Sequence, residues 1–145
     1  MRDILVPVSP GELLDKITIL RIKAARIGDP AKLRNVEIEL DLLASIWRES
    51  GCAAPPDSEV GRALAADERA LEAVNEKLWD IEDRIREQEL AQRFDAEFIE
   101  LARAVYTAND ERAAIKKRIN VRLGSRIVEE KSYGAYRVSV YSAPQ

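Results

Sequence analysis

Three polar side chains on one predicted helix occupy positions that a packed helix normally gives to apolar residues. At 100° per residue, Asn109, Arg112 and Lys116 point within about 40° of the direction set by Val105 and Leu123. A guanidinium and an ammonium group beside a carboxamide are suited to binding a carboxylate or a phosphate. The sequence therefore carries a candidate anion site in the middle of an apolar stripe.

A second set of polar residues lies on the neighbouring predicted helices. In the segment VNEKLWDIED, Asn75 and Glu82 lie at the edge of the apolar face. Antiparallel packing of two helices sets Asn75 across from Arg112 and Lys116 and brings Glu82 to the same layer. Arg21, near the inner face of the first predicted helix, can join them. Because burying an unpaired charge costs several kcal/mol, these groups must pair with one another or line a wet cavity.

The polar layer has two interpretations. In the first, Glu82 pairs with Arg112, the two asparagines complete the network, and the layer determines the helix register. In the second, the helices open into a pocket for a small carboxylated or phosphorylated metabolite, lined by Asn75, Asn109, Arg112 and Lys116. If the protein is an enzyme, which the sequence leaves uncertain, Glu82 is the candidate general base, because burial would raise its pKa.

Acidic residues at i and i+3 on two predicted helices form a weaker candidate site. They are Asp80 and Asp83, followed by Glu97 and Glu100. Such pairs can hold Mg²⁺, and the pattern loosely resembles that of the MazG-type all-α nucleotide pyrophosphohydrolases. Asp80 and Asp83, however, point away from the apolar stripe, as residues of a solvated face do. We therefore predict no metal site and no cofactor.

The composition excludes several kinds of site. The 145 residues include no histidine, which removes His-based metal sites, His-containing catalytic triads and imidazole bases. The single cysteine, Cys52, cannot form an internal disulfide and has no base beside it in the sequence. Neither a Walker loop nor a GxGxxG motif is present, so the two familiar modes of nucleotide binding are unsupported.

Charge and hydropathy predict a protein without nucleic-acid or membrane partners. A net charge of -3 gives no general attraction to polyanions. No apolar run approaches the ~20 residues that span a bilayer, and the N-terminus does not look like a signal peptide. Residues 57–100 hold fourteen acidic and six basic residues, whereas residues 112–131 hold seven basic and two acidic ones. We expect these regions to neutralise each other in an antiparallel packing.

Four helices must position these residues. Their predicted bounds are about 10–27, 29–51, 59–92 and 95–124. Ser9 begins the first helix as part of a capping box, Asp29 caps the second, and Asp95 caps the last. Gly51 and Gly124 are the expected ends of the second and fourth helices. A short connection makes the last two helices an antiparallel hairpin.

The ends of the chain have a different pattern. Residues 3–8 (DILVPV) and 136–141 (YRVSVY) alternate like strands, and they form either a small ribbon or simple tails. The loop at residues 51–58 is too short to be a domain linker. The sequence therefore predicts one all-α domain over residues 1–145, a four-helix bundle of two antiparallel hairpins with short strand-like terminal segments.

The first two predicted helices each have a second apolar line. Ile19 and Ile22 lie on one, and Ile38 and Leu42 lie on the other. A helix that is apolar on two faces is either sandwiched between neighbours or part of an interface. Because four helices offer little to cover both lines, we predict a homodimer through these residues. The alternative is that the strand-like terminal segments lie over them.

Four segments of the sequence are distinctive: PVSPGELLDKITIL (7–20), VNEKLWDIEDRIRE (74–87), FIELARAVYTANDERAAIKKRIN (98–120) and SRIVEEKSY (125–133). Together they resemble an uncharacterised bacterial family, a domain of unknown function. The resemblance implies a small bacterial cytoplasmic protein and transfers no activity or site residue. Two hypotheses follow from the residues: a dimeric interaction or scaffold protein, or a protein that binds or turns over a small anionic metabolite. A Mg-dependent nucleotide pyrophosphohydrolase is a lesser alternative.

Overall fold

The computed structural model describes residues 2–135, which form four α-helices. They are α1 (Pro10–Arg26), α2 (Pro30–Glu49), α3 (Glu59–Leu90) and α4 (Ala96–Arg122). Each begins where a side-chain oxygen accepts a hydrogen bond from a first-turn backbone N–H, at Ser9, Asp29, Ser58 and Asp95. The predicted all-α class is confirmed. In the described part of the chain, none of the helices combines the length and apolar character of a membrane span.

The glycine at the end of α4 has the backbone conformation that the sequence predicts. Gly124 has a φ of 63°, in the left-handed region that a side chain disfavours. The Ser125 N–H donates to the Asn120 carbonyl oxygen at 2.9 Å, and the Gly124 N–H donates to the Val121 carbonyl oxygen at 3.2 Å. These two bonds satisfy carbonyls of the last turn and end the helix.

The prediction of strand-like termini is wrong for residues 3–8, which form no strand. A strand needs a neighbour to accept and donate its backbone hydrogen bonds, and residues 2–135 contain no strand. Ile4 and Leu5 are therefore 89% and 88% exposed. The other predicted segment, residues 136–141, lies outside the described residues.

Helix α1 is in contact with all three other helices, whereas the backbone of α2 comes close only to that of α1. Between α3 and α4, Arg84 pairs with Glu97 beside the connection, and Asp67 accepts from Arg118 Nε at 2.7 Å near the other ends. The core cluster combines one residue of α1, Leu14, with residues of α3 and α4.

The position of α1 changes the surface predicted for a dimer. Ile22 is only 4% exposed, and Ile19 is partly buried at the edge of a cavity. Because α1 packs against three helices, its second apolar line is largely covered within one chain. Ile38 and Leu42 of α2 remain exposed.

Candidate functional site

A polar layer interrupts the packing of α1, α3 and α4 at Asn75. This residue is 4% exposed, and its Nδ2 donates to Asp15 Oδ1 at 2.9 Å and to Thr18 Oγ1 at 3.0 Å. The Thr18 hydroxyl donates in turn to the Asp15 carbonyl oxygen at 2.9 Å. Buried amides require such partners. Asn75 is therefore held in a defined orientation by α1, with its Oδ1 turned toward α4.

Arg112 of α4 lies on the other side of this amide. Its Nη1 donates to Asn75 Oδ1 at 3.4 Å, which is long for a hydrogen bond. None of the ion pairs formed within residues 2–135 includes the Arg112 guanidinium. A guanidinium has five N–H donors, so most of its donor capacity is not used by the described residues.

Lys116, one turn further along α4, has very different surroundings. Its Nζ lies 2.6 Å from Glu12 Oε2, 3.4 Å from Glu129 Oε2 and 3.7 Å from Asp15 Oδ2. Burial disfavours the charged ammonium, but the hydrogen bond to Glu12 and the three negative charges outweigh that effect and raise the pKa of Lys116. The same hydrogen bond lowers the pKa of Glu12. The charge of Lys116 is therefore neutralised within the chain.

The close approach of α1 to α4 depends on Gly11. Its backbone N–H donates to Asn120 Oδ1 at 2.7 Å. A Cβ atom at this position would lie 2.5 Å from the Lys116 carbonyl oxygen and 2.8 Å from Asn120 Oδ1, closer than non-bonded atoms can approach. Glycine therefore lets the first turn of α1 rest on the α4 backbone, and this brings Glu12 and Asp15 to Lys116.

Two cavities meet at Arg112 and Asn109. The larger one has a volume of about 570 Å³ and lies between α4 and the segment that follows it. Its walls also include Lys116 and Lys131, together with Tyr133. The smaller one, of about 470 Å³, is bordered by residues of α1, α3 and α4 and includes Asn75, Trp79 and Glu82.

The segment after α4 is attached to the helix by its charges. Glu129 accepts from Lys131 Nζ at 2.6 Å through Oε1 and from Lys116 Nζ at 3.4 Å through Oε2. The hydrogen bond with Lys131, with the nearby Lys116 charge, lowers the pKa of Glu129. The Lys131 ammonium lies 6.0 Å from the centre of the Tyr133 ring, at the limit of a cation–π contact. These contacts place Lys131 and Tyr133 at the larger cavity.

Five of the six predicted ligand-binding residues line the two cavities: Asn75, Glu82, Asn109, Arg112 and Lys116. The sixth, Arg21, does not. Its guanidinium pairs with Glu68 at 2.6 Å and with Glu72 at 3.8 Å on the surface between α1 and α3. Arg21 is long enough to reach the acidic residues of α3 from the outside, and it lies outside the polar layer.

The predicted burial of Glu82 is wrong. Its side chain is 44% exposed and pairs with Arg86, one turn further along α3. Arg112 bonds to Asn75, so the predicted pair of Glu82 with Arg112 is absent. Glu82 lies at the outer edge of the apolar face, where water and Arg86 can both reach it. Its role as a general base stays a prediction, without the burial on which it was based.

The site predicted from the sequence did not include the two residues of α1 that complete the polar layer. Asp15 and Thr18 are 6% and 0% exposed. With Ile22 they follow the spacing i, i+3, i+7 and so lie along the second apolar line of helix 1. This spacing could have identified Asp15 and Thr18 as inward-facing residues. No such pattern identifies Glu129, because it lies beyond the helices.

Two of the four acidic residues predicted as weak metal-site candidates form surface ion pairs. Asp80 pairs with Arg26 at 2.6 Å and has a side chain that is 64% exposed, while Glu97 pairs with Arg84. Asp83 and Glu100 are also exposed. Within residues 2–135 no three acidic or cysteine side chains are arranged to hold a metal ion.

A second buried ion cluster joins α3 to the end of α4. Asp67 is 5% exposed and accepts from Arg118 Nε at 2.7 Å and from Arg122 Nε at 3.1 Å. The predicted neutralisation of the acidic start of α3 by the basic end of α4 is confirmed at this cluster. Both arginines are used in holding the two helices together.

Residues 4–144 match the model of a family of unknown function, DUF6165, and the chain belongs to that family. This confirms the resemblance predicted from the sequence to a domain of unknown function. No curated protein and no solved structure matches the chain.

Proposed function

We propose that this member of the DUF6165 family binds a small carboxylated or phosphorylated metabolite at Arg112. One observation carries the proposal: a partly buried guanidinium lines two cavities, and its hydrogen bond to Asn75 is long and involves a neutral amide. A partly desolvated cation is stabilised by an anion with matching geometry. A carboxylate or a phosphate can accept two parallel N–H bonds from one guanidinium.

The larger cavity suits such a ligand better than the smaller one. Its volume of about 570 Å³ lies within the range of ~300–1,000 Å³ typical of ligand pockets. The Lys131 ammonium also lines this cavity, although it pairs with Glu129 at 2.6 Å, and the Asn109 carboxamide can donate a hydrogen bond. The larger cavity is bordered by one carboxylate, Asp110, whereas the smaller one is bordered by two, Glu82 and Asp83, which repel an anion more strongly. We therefore place the anionic group of the ligand at Arg112, on the side of the larger cavity.

The proposal is tested with Arg112→Gln and a matched control, Arg103→Gln. Arg103 is an exposed arginine of the same helix and lines neither cavity, so both variants lose one positive charge from α4. Wild type and both variants are screened by thermal unfolding against inorganic phosphate, citrate, phosphoenolpyruvate and adenosine monophosphate. We expect at least one of these to stabilise wild type and Arg103→Gln but not Arg112→Gln.

A direct titration then measures the loss of affinity. Hydrogen bonds to charged groups contribute roughly 1.5–3 kcal/mol, so Arg112→Gln is expected to raise the dissociation constant by about 10- to 100-fold. The proposal is wrong if none of the four probes binds wild type, or if a bound probe has the same affinity for Arg112→Gln.

The second candidate function, a dimeric interaction or scaffold protein, involves a different surface. In this proposal the four helices form a bundle of two antiparallel hairpins, and α2 supplies the contact. The observation that favours it is that Val36 is the single buried residue of α2, while Ile38 and Leu42 on the same helix are exposed. Since α2 lines neither cavity at Arg112, the two functions are compatible.

A further inference from the structure

The outward face of α2 carries an apolar stripe, formed by Ile38, Leu42 and Ile46. These side chains are 63%, 48% and 41% exposed. Because they repeat every four residues, they lie within about 40° of the direction of Leu42. Trp47, which packs against the core cluster, points about 140° away from that direction. Single exposed apolar residues are common, but three in a row on a poorly buried helix form a surface suited to a partner.

Resting on the second candidate function, we infer that this stripe binds a second copy of the chain, with the two α2 helices antiparallel and Leu42 at the twofold axis. In this arrangement Ile38 packs against the partner's Ile46, and Leu42 packs against the partner's Leu42. Each apolar residue thus meets another apolar residue, as an isologous interface requires. A rotation of 180° about an axis at Leu42 therefore matches the apolar stripe of one α2 helix with the stripe of the other.

The charges beside the stripe select the same arrangement. Arg34 lies eight residues before Leu42 and Glu49 lies seven residues after it. At 100° per residue both fall on the same side of the stripe, at about 80° and about 20° from Leu42. The twofold rotation therefore brings Arg34 opposite the partner's Glu49, and this pair occurs twice in a dimer.

A parallel arrangement is disfavoured by the same residues. A parallel twofold, whose axis runs along the helices, would leave Arg34 and the partner's Glu49 about fifteen residues apart in height, so the ion pair could not form. It would also bring Glu49, which lies only about 20° from the direction of Leu42, close to the partner's Glu49, and like charges repel. The Ser45 hydroxyl donates to one oxygen of Glu49, Oε1, at 2.8 Å. The other carboxylate oxygen can accept from Arg34 of the second copy.

The first experiment measures the mass of the full chain in solution by light scattering coupled to gel filtration. We expect wild type to have twice the mass of the 16.3 kDa chain. Leu42→Glu places a charge at the twofold axis and should weaken association by more than about 30-fold. The matched control is Ile99→Glu, because Ile99 is 56% exposed on α4 and lies outside the stripe. A monomeric wild type, or a Leu42→Glu variant that stays dimeric, would overturn the inference.

The second experiment tests the antiparallel orientation by exchanging charges. Arg34→Glu and Glu49→Arg each create like-charge contacts in the proposed dimer and should weaken it at low salt, where surface charges are least screened. The double variant recreates both ion pairs with reversed sign and should recover the wild-type dissociation constant. If both single variants associate like wild type, or if the double variant is weaker than either, the antiparallel arrangement is wrong.

Circular dichroism of each variant separates the loss of association from the loss of folding. The three substituted residues of α2 are all exposed, so the helical signal should be unchanged. Ligand binding at Arg112 is measured independently of mass, and either proposal can therefore fail while the other holds.

Discussion

Arg112 and Lys116 lie one turn apart on the same side of α4, yet they have opposite surroundings. Lys116 has three carboxylates within 3.7 Å, whereas Arg112 has one amide oxygen at 3.4 Å. The difference comes from α1, because Gly11 allows its first turn to rest on α4 beside Lys116. The acidic residues of that turn therefore reach Lys116. Two cations that look equivalent in the sequence thus differ in surroundings: Lys116 is neutralised within the chain, and Arg112 is the cation at which we propose that the ligand binds.

The largest difference between the two positions is expected in stability. Lys116→Met leaves Asp15, whose side chain is 8% exposed, and the partly buried Glu12 without their cation. We expect the free energy of unfolding to fall by about 2–3 kcal/mol, somewhat less than for a fully buried pair because Glu12 and Glu129 keep contact with water. Urea unfolding at neutral pH measures this loss.

The control for this variant is Lys117→Met, at the next residue. Lys117 is 55% exposed and pairs with Glu130, which is 75% exposed. An exposed pair contributes about 0–1 kcal/mol, so this variant should differ little from wild type. Equal losses in the two lysine variants would show that the three carboxylates around Lys116 are not what makes it important.

A change of pH is expected to affect the free energy of unfolding less than Lys116→Met does. The folded-state pKa of Glu12 and of Glu129 is lowered below the ordinary value of 4.5, so their contribution is complete above that value and is lost as the pH falls through the lowered pKa. The pKa of Lys116 is raised above 10.5, so its contribution is complete below that value and is lost as the pH rises through the raised pKa. The contribution of Lys116, Glu12 and Glu129 to the free energy of unfolding should therefore be nearly constant between pH 4.5 and pH 10.5.

The comparison with Lys116→Met isolates the contribution of the cluster. Without the ammonium, Glu12 loses the main cause of its lowered pKa. The gap in unfolding free energy between wild type and Lys116→Met should therefore narrow below pH 4.5. Urea unfolding of both proteins at several pH values measures the gap. If the gap stays constant down to the point where wild type unfolds, Glu12 and Glu129 are not coupled to Lys116.

The smallest change in stability is expected for Arg112→Met. The substitution removes one long hydrogen bond to a neutral amide, while Asn75 keeps its bonds to Asp15 and Thr18. We expect the free energy of unfolding to change by no more than about 0.5 kcal/mol, and removal of a partly desolvated charge can also increase it. Urea unfolding beside Lys116→Met gives the comparison directly. A loss as large as that of Lys116→Met would make Arg112 structural and remove the basis of the ligand proposal.

Much of the local structure could be predicted from single residues. Ser9, Asp29 and Asp95 cap helices where the sequence predicts them, and Gly124 ends α4 in the left-handed conformation. Caps and glycine ends act within about four residues along the chain, so their effect does not depend on the rest of the fold. The strand pattern of residues 3–8 was misleading because strand formation, unlike capping, requires a second segment.

The candidate site was predictable only in part. The sequence determined that Asn75 and Lys116 lie on inward-facing sides of their helices and that Arg112 shares that side of α4, because helical phase follows from position along the chain alone. It did not determine the partners of these residues. Lys116 bonds to Glu12, which is 104 residues away in the sequence, and Glu82 lies far enough around α3 to reach solvent.

The tertiary structure decided which cation is neutralised and which apolar face stays open. Both outcomes depend on how the helices are rotated and shifted against each other. Those quantities are determined by specific contacts between distant residues, such as the one from the Gly11 N–H to Asn120. The same placement of α1 covers Ile22 and leaves Leu42 exposed. Periodicity identifies the faces of a helix, but only packing decides what each face meets.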